Sequence, residues 1–343
     1  MSRALSISAL NTVEVGATTD QTKADIDSLG INRGRKNLII NGGFDVWQRG
    51  TSFTTSAGYT ADRWQLQLSG GTSTVTRQTF TIGQTEVPDN PTYYLKANTT
   101  TGNNNCGLFH PIEDVRNGSD KNVTVSFWAK GTNPAGGVFD LISSQRFGAG
   151  GSSNVEITTP LTITSSWVKY THTFSLASIS GKTIGTGSSL TLIIRQHQND
   201  TGTAAWELNL ANVQLELGSV ATDFEHRSYG EELALCQRYY YRIGGLAHNQ
   251  PICNISVWSG SDNYGVIDFP HEMRTAPTVT IAGATSYTLL VDAVTATSTS
   301  LVIQGITKQG CELLIRRSGA YGGGKSGWVR GTTATITEFN AEL

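Results

Sequence analysis

Val123-Thr124-Val125-Ser126-Phe127-Trp128-Ala129-Lys130 alternates apolar and polar side chains without a break. A period of two puts Val123, Val125, Phe127 and Ala129 on one face and Thr124, Ser126, Trp128 and Lys130 on the other. That is the signature of a half-buried β-strand. Trp167–Phe174 alternates in the same way, and Leu190–Arg195 and Leu208–Leu217 read as further strands. Leu38-Ile39-Ile40 is a short apolar strand that ends in the turn Asn41-Gly42-Gly43. Clusters of Gly, Asn and Ser at 70–73, 101–107, 131–137, 148–154 and 185–189 separate these runs. Many short strands with turn signals between them predict a β-sandwich.

The composition agrees. The 343 residues include 38 Gly but only 8 Pro, and charged residues are just 15%, against a typical figure of about 25%. A surface so poor in charge is covered by neutral polar groups, as in chains that bury surface in an assembly. The net charge of −2 argues against nucleic-acid binding through a general basic surface. No apolar run approaches the ~18 residues that cross a bilayer, so no membrane insertion is expected, and the N-terminus lacks the long apolar stretch of a signal peptide. Cys106, Cys236, Cys253 and Cys311 form no C-x-x-C pair; free thiols in a protein made in a reducing cytoplasm are the expectation.

Residues 1–36 differ from the rest. Asp20–Gly30 reads as one short helix, with Asp20 as N-cap, Ile26 and Leu29 on one face, and Gly30 as the stop. A helix this short is unstable alone, so the segment reads as an attachment arm docked through Asp20, Ile26 and Leu29. Ser228-Tyr229-Gly230-Glu231 has capping-box spacing and predicts a linking helix over 228–242. Beyond it, runs such as Tyr287–Val291 and Ser300–Ile303 predict a smaller C-terminal β-sandwich. The expected organisation is an arm (1–36), a sandwich domain (37–227), and a linking helix with the second β unit (228–343).

One chemical motif is matched in full: Gly319-Ala-Tyr-Gly-Gly-Gly324-Lys325-Ser326 fits the phosphate-loop pattern. The residues after Ser326 are strand-like rather than helical, so a glycine-rich hairpin loop is the better reading. No histidine spacing suits a metal, no G-x-S-x-G elbow occurs, and no acid pair stands out for glycoside hydrolysis. The protein is therefore expected to be non-enzymatic. Aromatic side chains on a sandwich either pack internally or stack on sugar rings. Trp128 is the leading candidate for stacking, because alternation puts it opposite the Val/Phe face. Trp47 and the strand-end Arg195 complete the candidate carbohydrate-binding set.

Two long stretches carry a family resemblance. Arg35–Ser52 with Tyr59–Trp64, and Ala211–Tyr241, resemble the opening and close of a module in tail-fibre and other virion proteins of marine and cyanobacterial phages. That module is in turn similar to jelly-roll carbohydrate-binding modules, with their Ser-Phe-Trp-Ala-Lys-like central strand and Val-Gln-Leu-Glu closing strand. The arm is similar to N-terminal segments of such phage proteins. The resemblance implies a jelly roll over 37–227 and a tail fibre or fibre-like appendage. It further implies attachment to other virion proteins through residues 1–36, host-surface glycan as ligand, a homotrimer, and location in the virion. A head fibre or capsid decoration protein and a glycan-degrading tailspike are the alternatives. Carbohydrate-binding relatives often carry a structural calcium; here the matching positions are Asn41, Asp45 and Asn209.

Overall fold

A computed structural model describes residues 35–55, 57–68, 71–101, 106–134, 137–197, 205–244, 250–283, 285, 287–319, 322–331 and 336–343. The arm helix with Asp20, Ile26 and Leu29 lies outside the described residues.

Two six-stranded antiparallel sheets form the jelly roll. The first runs, in spatial order, β1 (Ser52–Thr55), β4 (Thr72–Thr79), β5 (Tyr93–Thr101), β12 (Trp206–Leu217), β7 (Asn122–Thr132) and β10 (Val168–Ser175). The second runs β2 (Gly58–Tyr59), β3 (Gln65–Gln67), β6 (Gly107–Glu113), β11 (Ser189–Gln196), β8 (Phe139–Arg146) and β9 (Val155–Leu161). Val123, Val125, Phe127 and Ala129 of β7 are all fully buried and face Leu190, Leu192 and Ile194 of β11 within one core. The alternation of β7 thus marks the inward face correctly. β11 reads as a continuous apolar run because both of its faces are covered: Ile193 points away from that core, into a separate cluster with Phe109 and Ile142.

β12 changes phase part-way along. Leu208 and Leu210 face the core before a register shift between Ala211 and Gln214, and Val213 and Leu215 face it after. Asn212 absorbs the extra residue at φ +49°, a left-handed conformation that Asn tolerates better than most residues. Ala211 is thereby turned to the outer face.

Helix α1 (Tyr229–Gln237) starts as expected. The Glu231 N–H donates to Ser228 Oγ (3.3 Å) and Glu231 Oε2 accepts from the Ser228 N–H (3.0 Å). It stops five residues before the predicted end. Tyr240–Gly244 instead forms β13, which pairs with β21 (Ile336–Asn340). A partner almost a hundred residues away overrides local helical spacing, and the aromatic and β-branched side chains suit a strand.

The C-terminal unit is all-β, but its form differs from the predicted sandwich. Six strands close into a barrel in the order β14 (Gln250–Ser259), β15 (Asp262–Asp268), β19 (Gly310–Arg317), β18 (Val294–Gln304), β17 (Thr288–Val291) and β20 (Ser326–Gly331). β20 closes the ring by pairing with both β14 and β17. Strand alternation reports a buried face; it does not report whether a sheet closes on itself. A three-stranded sheet, β13–β21–β16 (Thr278–Ala282), shares the barrel's core through Ile243 and Phe339. The phosphate-loop match joins β19 to β20, and Ser326 opens a strand rather than a helix. The Lys325 ammonium pairs with Asp292 at 2.6 Å.

Candidate functional site

The outer face of the second sheet builds the most developed site. Along β11, alternation presents Ser189, Thr191, Ile193 and Arg195 outward. Register places Ile193 between Phe109 of β6 and Ile142 of β8. These three form a buried apolar floor. At one end, Ser189 lies opposite Arg146, and Gln65 of β3 opposite Phe109. A groove of about 260 Å³ opens there, lined by Gln65, Phe109, Pro111, Arg146, Asn154 and Thr191, among others. At the other end, Arg195 lies opposite Asp140, whose carboxylate sits 2.5 Å from His197 Nδ1.

Arg146 is the notable group in the groove. Its guanidinium lies 5.5 Å from the centre of the Phe109 ring. Its Nε is buried and has no hydrogen-bond partner among the described residues. Burial pulls its pKa below the usual arginine value; Glu156 opposes that shift, and the charge of Arg195 adds to it. A buried N–H without a partner is costly.

The carbohydrate candidates named from sequence are not brought together. Arg195 belongs to this outer face. Trp128 lies on the outer face of the opposite sheet, half-buried against a cluster of Phe80, Val87, Trp167 and Ala211. Its partners are intramolecular, and Phe80, Tyr94 and Trp167 contact one another at ring distances of 4.7–5.3 Å. Trp47 is buried in the core; its indole N–H donates to the Phe44 carbonyl at 2.7 Å, and its ring stacks on Phe53. Arg146 and Phe109 escaped the sequence reading. Phe109 stands in no alternating run, and Arg146 ends a strand that reading left unassigned.

The residues at the three calcium positions make other contacts among the described residues. The Asn41 side-chain oxygen accepts the Val46 N–H, and its amide donates to the Val46 and Asp62 carbonyls. Asn41 therefore organises the turn. Asn209 lies in register between Lys96 and Lys130 and donates to Glu207, an environment adverse to a cation. Asp45 is half-buried; burial and the nearby Glu232 raise its pKa.

The long stretches that carried the family resemblance meet at a polar seam between the jelly roll and the C-terminal unit. Arg63, fully buried, pairs with Glu342, donates to the Pro111 carbonyl and lies 3.5 Å from the centre of the Tyr239 ring. Arg49 sits 3.5 Å over Tyr240 and 3.4 Å from Asp62. Burial raises the Asp62 pKa to about 6, against the opposing pull of Arg49 and Gln48. Arg238 and the Tyr239 hydroxyl both bind Glu113. Next to the seam, His110 donates through Nε2 to the Ile40 carbonyl, and burial, with the Arg63 charge adding, lowers its pKa to about 3.

No family model matches the chain. No curated protein matches it either. Among solved structures, those that match include carbohydrate-binding modules. The CBM22-1 xylan-binding domain of Paenibacillus barcinonensis Xyn10C is 18% identical, with a TM-score of 0.30, over 50% of this chain and 94% of that one. The tandem CBM22-1–CBM22-2 domain of the same protein is 13% identical, with a TM-score of 0.32, over 91% and 98%. The N-terminal cellulose-binding domain of Cellulomonas fimi β-1,4-glucanase C is 18% identical, with a TM-score of 0.29, over 52% and 95%. The likeness is one of chain path, and no residue role is carried over from it.

Proposed function

We propose that the protein is a non-enzymatic phage virion protein, a tail fibre or fibre-like appendage, that contacts host-surface glycan through the groove lined by Phe109, Pro111 and Arg146. The glycan reading rests on Arg146, whose guanidinium lies by the Phe109 ring in a groove also lined by Gln65, Asn154 and Thr191. Apolar floor and polar rim match the two faces of a sugar ring. The acids around the groove are engaged: Glu113 by Arg238 and Tyr239, Asp140 by His197, and Glu156 by the Ser144 hydroxyl at 3.1 Å.

The virion reading rests on the resemblance of Arg35–Ser52 and Ala211–Tyr241 to phage fibre modules. A glycan microarray probed with the full chain and with Arg146→Ala tests the ligand. Binding lost in the variant at unchanged melting temperature supports the groove; equal binding overturns it. Cryo-electron microscopy of the particle tests the location, and density on the capsid rather than the tail favours the head-fibre alternative. Deletion of residues 1–34 is expected to abolish incorporation into particles. Light scattering at micromolar concentration is expected to give three copies.

A further inference from the structure

The C-terminal barrel carries a second surface, independent of the groove. Along β14, Ile255 and Val257 are buried, so Asn254, Ser256 and Trp258 share the outward face. Trp258 is 76% exposed. Trp328 of β20 is 42% exposed and lies opposite Asn254 in register. Tyr264 of β15 lies opposite Ser256 on the other side. Two adjoining clefts of about 870 and 630 Å³ share Asn254 and Trp328, so the indole stands between two depressions. Arg330 lies 5.4 Å from the Trp328 ring centre. Trp258 lies four positions on from Asn254 along β14, about 13 Å at roughly 3.3 Å per residue.

We infer that this face of the barrel is a second saccharide-binding site for a neutral oligosaccharide, with Trp328 and Trp258 as stacking platforms. Two indoles left in water expose large apolar area, which marks an interaction surface. The groups between them decide the kind of partner. The side chains of Asn254 and Ser256 make no hydrogen bond among the described residues. A dry protein interface over them would leave an amide and a hydroxyl unpaired, at a cost of about 1–3 kcal/mol each. Sugar hydroxyls both donate and accept, so they satisfy these groups while the apolar ring faces cover the indoles. The charged residues lining the two clefts are Arg330 in one and Asp268 in the other, one of each sign, which favours a neutral chain over an acidic one.

The test uses the full-length protein on a microarray of neutral hexose and pentose oligosaccharides, followed by calorimetry on the best hit. Trp328→Ala and Trp258→Ala are each expected to weaken that binding on the order of tenfold or more. Both sites are exposed, so the melting temperature should hold; Asn254→Ala is a milder check on the same face. Arg146→Ala, in the jelly-roll groove, should leave this binding intact, which separates failure here from failure of the groove. Unchanged affinity in both Trp variants overturns the inference, as does an array with no neutral hit. Tryptophan variants that dissociate an oligomer without affecting sugar binding would assign the face to a second copy of the chain, and would also overturn it.

Discussion

His110 and Asp62 lie in the same buried neighbourhood, and their protonation opposes. The His110 pKa falls from 6.5 to about 3 in the fold, so the unfolded chain binds the proton first, and stability is lost as pH drops below 6.5. The Asp62 pKa rises from 3.8 to about 6, so the folded chain binds the proton first, and stability is gained as pH drops through 6. Between pH 6 and 4.5 each effect is on the order of 2 kcal/mol. The two contributions should therefore nearly cancel across that interval. His110→Gln, which keeps a donor toward Ile40, should instead gain about 2 kcal/mol relative to wild type on going from pH 6 to 4.5. Urea denaturation midpoints at the two pH values read this directly; parallel midpoints in both proteins would refute it. None of this was legible in the sequence, where His110 is one of six scattered histidines. Its environment is assembled by Arg63, Trp64 and the turn at Ile40, from separate segments.

At the level of single strands, β7 was legible and β12 only half so. Alternation alone identified Val123, Val125 and Phe127 as core, and Phe127→Ala should cost about 3–5 kcal/mol by thermal unfolding. Trp128, its neighbour, packs against the Phe80–Trp167 cluster rather than facing open solvent. Trp128→Ala should cost roughly 2 kcal/mol, less than a full core truncation because the ring is half-buried, and leave glycan binding unchanged. Lost adsorption in a normally stable Trp128 variant would reverse that assignment. In β12 the phase change at Asn212 is invisible to a two-residue period, since the bulge exists only against β7. The helix start at Ser228 was legible because a cap is local chemistry, and Ser228→Ala should cost about 1 kcal/mol. Its end was not, since Tyr240–Gly244 answers to β21.

Across the whole molecule, the seam decides whether the two β units behave as one. Glu342 is the counter-charge for Arg63 and also reaches Arg49 at 3.3 Å. Glu342→Ala leaves a buried guanidinium unpaired, and that should cost about 3–5 kcal/mol. Scanning calorimetry is expected to show one transition for the wild type and two for the variant, one for each unit. A single unshifted transition would show that the ladders and apolar contacts hold the units together without the ion pairs. The sequence did not show the role of this region: Arg49, Asp62 and Arg63 on one side and Arg238 to Tyr240 on the other meet only in the fold.

The junction also has a mechanical side. β13 and β21 run antiparallel, with Tyr240 opposite Asn340. Tension applied between the jelly roll and the last residues would therefore peel this ladder from one end, opening its bonds one at a time. Such a ladder resists pulling poorly. The side-chain clamp just outside it, Arg63 and Arg49 on Glu342 with Arg274 donating to the Ala341 and Glu342 carbonyls, meets the load before the first rung does. Under load across the junction, those few contacts would act as the fuse that sets the force at which the barrel swings free.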